Sequence, residues 1–136
     1  MAQRNTFQKS MTLNAVLDLA NHPTAEDVYN YVHRQYPQIS RTTVYRNLNK
    51  LCEGGQLYRV KVFGAADRYD HRTGGHYHFI CNECGQLCDL ELPYMDEINR
   101  MCAGMDGRQI NDHQILFDGV CRDCLKKAKN RLKSKR

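Results

Sequence analysis

Residues 76–84 read HYHFICNEC and combine two patterns of metal-binding side chains. This stretch ends in a C-x-x-C pair, Cys81 and Cys84, and a second such pair follows at Cys121 and Cys124. Structural zinc sites bind four thiolates tetrahedrally and are commonly built from two such pairs. A redox dithiol or two disulfides are the alternatives. The paired spacing favours a zinc site made of these four cysteines.

Two histidines alternate along the beginning of the same stretch, which has the pattern of a β-strand. Side chains at positions i and i+2 lie on one face of a strand, so His76 and His78 point the same way. Two histidines on one face form half of a site for a borderline metal. The alternative is a polar outer face of an edge strand. Acidic residues on either side, Asp70 and Asp89, favour a second metal site.

Length and charge set limits on the architecture. The chain has 136 residues, a length that accommodates one domain or two small ones. Its formal net charge of +5 favours an anionic partner. A small domain buries little apolar core, and the zinc site would stabilise the second one. No apolar run approaches the roughly 18 residues of a membrane span, and no apolar signal region begins the chain. Seven cysteines, an odd number, suit a reducing compartment, so we expect a cytoplasmic protein without a membrane partner.

The first half of the chain predicts three helices and a hairpin. An apolar stripe predicts the first helix at residues 7–20, and Thr24 and Ser40 are expected N-caps of the next two. The third helix should end at Gly54-Gly55. An alternating run at 56–63, a turn and the sequence RYD at 68–70 predict the hairpin. Three helices followed by a hairpin is the order of a winged helix-turn-helix, which we place at residues 1–72.

The third predicted helix divides into two faces. Val44, Leu48 and Leu51 have the spacing of a buried face. The opposite face carries the side-chain types that contact phosphates and base edges. A solvated helix face is the alternative, but the hairpin that follows favours binding to double-stranded DNA. The DNA-contacting residues predicted here are Arg41, Thr42, Thr43, Tyr45, Arg46 and Asn49.

The second half, residues 76–136, predicts a separate domain after a hinge at 73–75. Strands are expected at 76–80, 86–92 and 113–120, and a helix at 93–103, with one cysteine pair after the first strand and the other after the last. From Leu125 onward the tail has seven basic residues and no acid. It is expected to be a helix that either contacts DNA phosphates or is simply solvated. The two halves together predict an α+β protein.

Several of these segments resemble the ferric uptake regulator family of bacterial metal-dependent repressors. They are HPTAEDVY, ISRTTVYRNL, RYD, GHYHFICNECG, LCDL and VCRDC, and they run from His22 to Cys124. The resemblance implies a homodimer with a winged helix-turn-helix, an α/β dimerisation domain, one structural zinc per subunit and a DNA operator as partner. It also implies a regulatory Fe(II) or Mn(II) site at the hinge. The ligands of that site would be His22, Asp70, His76, His78 and Asp89.

The resemblance also indicates a branch of the family. Asp89 stands where iron-sensing members often carry Glu, and so resembles the peroxide-sensing branch, in which bound iron reacts with hydrogen peroxide and oxidises its histidine ligands. The implied function is a metal-dependent transcriptional repressor that senses peroxide. An iron, manganese or zinc uptake regulator is the alternative. Arg46 resembles the iron-sensing branch more than the peroxide-sensing branch. Gly75 and Tyr77 stand where some members have further metal ligands, so we do not expect a complete third metal site despite His113.

Two other classes of function, a metalloenzyme and a thiol switch, are alternatives. A metalloenzyme would need a general base beside the His/Asp cluster, but the sequence has neither an H-E-x-x-H motif nor an H-x-E with P-C-x-x-C. We therefore predict no enzyme and no small organic substrate. A thiol switch would use Cys52, Cys88 or Cys102. Cys52 and Cys102 lie on predicted helices and Cys88 is expected to face inward, so packing is the favoured role.

Overall fold

Three helices and a hairpin form the N-terminal part of the computed structural model, which describes residues 2–73 and 76–134. α1 spans Ala2–Leu19, α2 spans Ala25–Gln35 and α3 spans Arg41–Glu53. β1 (Tyr58–Val60) and β2 (Arg68–Asp70) pair antiparallel. The chain divides into two units, residues 1–74 and 75–136. The predicted hinge falls mainly on residues 74 and 75, which lie outside the described residues.

Side-chain caps explain where α2 and α3 begin. The Asp27 amide donates to the Thr24 hydroxyl at 3.1 Å, and the Thr24 amide donates to the Asp27 carboxylate at 3.0 Å. This reciprocal pair is a capping box. The Ser40 hydroxyl accepts from the Thr43 amide at 3.1 Å. Both caps lie where the sequence predicts them, so the register of α3 is also the predicted one.

The apolar core of the N-terminal unit lies among the three helices. Val44, Leu48 and Leu51 are at most 1% exposed, as predicted. The prediction for α1 is wrong in two respects. Leu17 is 44% exposed rather than part of the buried stripe. The helix also begins at Ala2 rather than at residue 7, because polar residues of adequate helix propensity extend it beyond the turns that pack on the core.

A three-stranded sheet forms the centre of the C-terminal unit. Its strands are β3 (Tyr77–Cys81), β4 (Leu87–Leu90) and β5 (Leu116–Gly119), in the order β4-β3-β5. β4 is antiparallel to β3, and β5 is parallel to it. Each strand is shorter than or displaced from its predicted range. Between β4 and β5 lie α4 (Asp96–Cys102) and a 3-10 turn (Met105–Gly107).

The chain ends in a helix that carries the second cysteine pair at its beginning. This helix, α5, spans Arg122–Ser134. Helices packed beside small sheets confirm the predicted α+β class. Within 2–73 and 76–134, no helix combines the length and the apolar character that a membrane span requires.

Candidate metal sites and DNA-contacting surface

The four cysteines predicted to bind zinc lie together in the C-terminal unit. Cys81 ends β3, and Cys121 immediately precedes α5. The four Sγ atoms lie within 4.8 Å of one another, with 3.8 Å between Cys81 and Cys124 and 3.9 Å between Cys84 and Cys121. A tetrahedral zinc with bonds of about 2.3 Å separates its sulfurs by about 3.8 Å, whereas a disulfide needs about 2.05 Å. The spacing therefore fits zinc and does not fit disulfides.

Backbone amides and mutual crowding prepare these sulfurs for a cation. Cys81 Sγ accepts from the amides of Cys84 at 3.4 Å and Cys121 at 3.3 Å. These bonds lower the pKa of the Cys81 thiol to about 6. At Cys124 the hydrogen bond with the Cys121 sulfur raises the pKa. All four become thiolates together only when a cation balances their charge, which a structural metal provides.

His22 lies in a strained turn between α1 and α2. Ala20, Asn21 and His22 have φ values of 49°, 50° and 58°. Non-glycine residues rarely adopt this left-handed region, and each costs about 1–3 kcal/mol. Strain of this kind persists where the surrounding structure imposes it, and it is concentrated at functional sites.

The second strand of the hairpin fixes the position of this turn. The Tyr69 amide donates to the Pro23 carbonyl at 2.9 Å, and the Arg68 guanidinium donates to the His22 carbonyl at 3.3 Å. These bonds bring the His22 ring to Asp70, with 3.2 Å between Nε2 and Oδ2. Asp70 is 4% exposed. The two regulatory ligands predicted in the N-terminal unit are therefore in contact.

The other three predicted regulatory ligands form a cluster in the C-terminal unit. His78 on β3 lies opposite Asp89 on β4, and His76 directly precedes β3. Asp89 Oδ1 is 3.2 Å from His76 Nε2 and 3.1 Å from His78 Nε2, and the two rings are 4.4 Å apart. Both histidines are buried. Two imidazoles and a carboxylate suit Fe(II), Mn(II) or Zn(II).

Tyr77, on the opposite face of β3 from these histidines, belongs to a separate hydrogen-bonded network. Its hydroxyl lies 2.7 Å from Nε2 of His113 and accepts from the Met95 amide at 3.0 Å. Nδ1 of His113 lies 2.7 Å from the Asn99 side-chain oxygen. Both ring nitrogens of His113 therefore make hydrogen bonds within the protein.

The predicted DNA-contacting face of α3 is open to solvent but partly engaged by α2. Glu26 on α2 accepts from the Arg41 guanidinium and, at 3.2 Å, from the Tyr45 hydroxyl. The Arg41 guanidinium also lies 4.6 Å from the centre of the Tyr29 ring. Thr43 is half-buried, and the exposed members of the predicted set are Arg41, Thr42, Tyr45, Arg46 and Asn49.

Asn49, a third residue of this face, is hydrogen-bonded to the hairpin. The guanidinium of Arg59, on β1, donates to the Asn49 side-chain oxygen and lies 5.7 Å from the centre of the Tyr69 ring. Neither Glu26 nor Arg59 was identified from the sequence. Both are far along the chain from their partners, and no motif connects them, so only the tertiary structure reveals these contacts.

Two of the cysteines outside the zinc cluster, Cys52 and Cys88, have environments that disfavour a thiol switch. Cys88 is exposed, contrary to the expectation that it faces inward, because Leu87 occupies the buried side of β4. Partial desolvation and then Asp89 raise the pKa of Cys88, and burial raises the pKa of Cys52. A raised pKa leaves less of the reactive thiolate at neutral pH.

Comparison with known proteins identifies the family. The sequence profile of the ferric uptake regulator family matches residues 1–118. The chain belongs to the ferric uptake regulator family. It is 35% identical over 124 residues to the peroxide operon regulator of Bacillus subtilis, covering 91% of this chain and 86% of that protein. It is 32% identical over 121 residues to the peroxide-responsive repressor PerR of Staphylococcus aureus, covering 89% of this chain and 82% of that protein.

A solved structure of a peroxide regulator is similar to this chain. The crystal structure of the Campylobacter jejuni peroxide stress regulator matches with a TM-score of 0.69 and 27% identity, covering 90% of this chain and 92% of that one. The predicted family and fold class are therefore confirmed. All three relatives are named for a response to peroxide.

Proposed function

We propose that this protein is a metal-dependent, DNA-binding transcriptional repressor that senses hydrogen peroxide. The cluster of His76, His78 and Asp89, in which both histidines are buried, carries the proposal. Burying two imidazoles beside a partly exposed carboxylate is costly unless these groups bind one another or a ligand, and both histidine Nε2 atoms lie within 3.2 Å of Asp89 Oδ1. The peroxide regulators among the relatives support the same function.

The proposed regulatory site joins ligands from both units. His22 and Asp70 belong to the N-terminal unit, and His76, His78 and Asp89 belong to the C-terminal unit. An ion bound by all five stabilises only the arrangement in which both groups reach it. It shifts the conformational equilibrium by its differential affinity for that arrangement. DNA binding then depends on the metal without any contact between metal and DNA.

The remaining assignments follow the family. Residues 1–72 bind a double-stranded DNA operator, residues 73–75 form the hinge, and residues 76–136 form the homodimer. One zinc per subunit, held by Cys81, Cys84, Cys121 and Cys124, stabilises the C-terminal unit. The protein acts in the cytoplasm as a regulator and has no catalytic residues.

Peroxide sensing depends on which regulatory metal is bound. Fe(II), when bound, supplies the reducing electrons for hydrogen peroxide, whereas Mn(II) is inert to it. His22 and His76 are the imidazoles expected to gain oxygen. An oxidised imidazole is a poorer ligand, so the arrangement that binds DNA is lost. An iron, manganese or zinc uptake regulator is the alternative function; it would use the same ligands without this oxidation.

Metal-dependent DNA binding tests the proposal. A duplex selected from a random pool by the Mn(II)-loaded protein serves as the probe. We expect chelation of the regulatory metal to abolish binding, and His78→Ala to remove the response to Mn(II) while zinc content stays at one per subunit. The exposed histidine substitution His33→Ala is the control and should respond normally. Binding that is equally tight with and without regulatory metal would contradict the proposal.

A further inference from the structure

A cavity of about 180 Å³ lies between α1 and α3, beside the exposed face of α3. Its described lining consists of polar and basic side chains from the two helices, and no acid is among them. The share of liquid volume that one water occupies is about 30 Å³, so the cavity has room for a group the size of a phosphate. The lining residues are Thr6, Gln8, Lys9, Thr43, Arg46, Asn47 and Lys50.

Asn47 is the unusual member of this lining. It is 6% exposed and shares the buried side of α3 with Val44, Leu48 and Leu51. Its side-chain nitrogen has no hydrogen-bond partner within the described part of the chain. A buried amide that makes no hydrogen bond destabilises the fold, whereas an apolar residue at the same helix position would not. The amide therefore points to a ligand that accepts its hydrogen bond.

The charge of the lining indicates what kind of ligand this is. Lys9 comes from α1, and Arg46 and Lys50 come from α3, so three cations surround one cavity. Like charges held together repel each other unless an anion lies between them. An anion with several acceptor oxygens would satisfy the three cations and the Asn47 amide together.

We infer that this cavity binds one phosphodiester group of the DNA backbone. The inference rests on the proposed DNA-binding function, and adds a site that positions α3 on the duplex. Phosphate contacts fix register and orientation but carry no direct sequence information. In this assignment Arg46 binds a phosphate, which is one of the two kinds of DNA contact expected on this face of α3.

Binding of a small diester tests the cavity without DNA. The full-length zinc-bound protein, labelled with ¹⁵N, is titrated with dimethyl phosphate, with inorganic phosphate in parallel and chloride at matched ionic strength as the reference. We expect the Asn47 side-chain amide signals to move and saturate with dimethyl phosphate but not with chloride. Lys50→Gln should weaken this binding, and Arg34→Gln, an equal loss of charge outside the cavity, should not. Asn47 signals that respond no more to dimethyl phosphate than to chloride would overturn the site.

DNA binding then tests whether the phosphate is that of a duplex. Asn47→Leu should fold at least as stably as the natural protein, because leucine suits the buried side of α3. The variant should nevertheless bind DNA more weakly. Lys50→Gln should lower the slope of log affinity against log salt by about 0.9, the value for one phosphate. Both variants should lose affinity by the same factor for the selected duplex and for an unrelated one.

The other outcomes each decide the inference. A loss confined to the selected duplex would mean that these residues read bases, and would overturn the phosphate assignment. If the cavity binds the diester but both variants keep their DNA affinity, the phosphate that it binds is a free one. That outcome would overturn the assignment to DNA. If the natural protein binds diester but no duplex, the cavity is an anion site and the proposed function fails.

Discussion

Asp89 shows how one side chain defines the proposed regulatory site. Its Oδ1 lies 3.2 Å from His76 Nε2 and 3.1 Å from His78 Nε2, so one carboxylate oxygen contacts both imidazoles. The strand register sets this geometry, because His78 lies directly opposite Asp89. The side chain of glutamate is one methylene longer, so its carboxylate oxygens would not lie where those of Asp89 do.

We expect Asp89→Glu to separate repression from peroxide sensing. The variant keeps a carboxylate ligand and should still bind the selected duplex with Mn(II). Its displaced oxygens should make the Fe(II)-loaded protein respond poorly to peroxide. Fluorescence anisotropy of the duplex before and after mild peroxide treatment measures both properties. Asp106→Glu, at an exposed aspartate away from the ligands, is the control; equal peroxide sensitivity in the two variants would show that carboxylate length is irrelevant.

Glu26 on α2 forms hydrogen bonds with side chains on α3. It accepts hydrogen bonds from the Arg41 guanidinium and the Tyr45 hydroxyl, so α2 engages two groups of the predicted DNA-contacting face of α3. An acid in this position competes with DNA phosphates for Arg41. The contact is exposed, so its effect should be on DNA binding rather than on stability.

Glu26→Gln should therefore raise affinity for an unrelated duplex more than for the selected one. The released guanidinium is expected to add one phosphate contact, which steepens the salt dependence of binding by about 0.9. Anisotropy titrations of both duplexes at several salt concentrations measure this. Glu53→Gln removes one negative charge at the other end of α3 and is the matched control. If both variants gain affinity equally, net charge explains the effect and Glu26 has no special role.

The zinc ligands connect the end of β3 to the beginning of α5. We expect Cys121→Ser to release zinc and unfold the C-terminal unit, because metal-binding energy is part of its folding energy. Zinc analysis and circular dichroism measure the loss, and dimerisation should be lost with it. Cys88→Ser, at an exposed cysteine outside the cluster, should retain the zinc. A dimeric Cys121→Ser protein with one zinc per subunit would disprove the four-thiolate site.

How much could be predicted from the sequence depended on the range of each signal. The C-x-x-C pairs, the H-x-H alternation and the caps at Thr24 and Ser40 are local patterns, and the structure places each of them as predicted. Asp70 was anticipated from its position, but His22 entered only through the family resemblance, since a histidine before proline has no local signature. Glu26 contacts Tyr45 only because α2 packs against α3, and the spacing of residues along the sequence does not reveal that packing.

Two features of the whole molecule connect the proposed site to DNA binding. The chain has two units, and the proposed site takes His22 and Asp70 from one unit and the His76 cluster from the other. The left-handed turn at residues 20–22 fixes His22 at a cost in backbone strain. An ion that binds both groups therefore couples the arrangement of the units to metal availability, and oxidation of a ligand reverses the coupling.

Peptide mass spectrometry after peroxide treatment tests whether bound iron directs oxidation to the ligand histidines. The protein is loaded with Fe(II) or with Mn(II), treated with mild peroxide, assayed for binding to the selected duplex and then digested. The account predicts that only the Fe(II)-loaded protein loses DNA binding and gains oxygen on His22 or His76. Unmodified histidines together with oxidised Cys52, Cys88 or Cys102 would contradict it in favour of a thiol switch, and intact DNA binding without oxidation would leave a metal sensor that does not respond to peroxide.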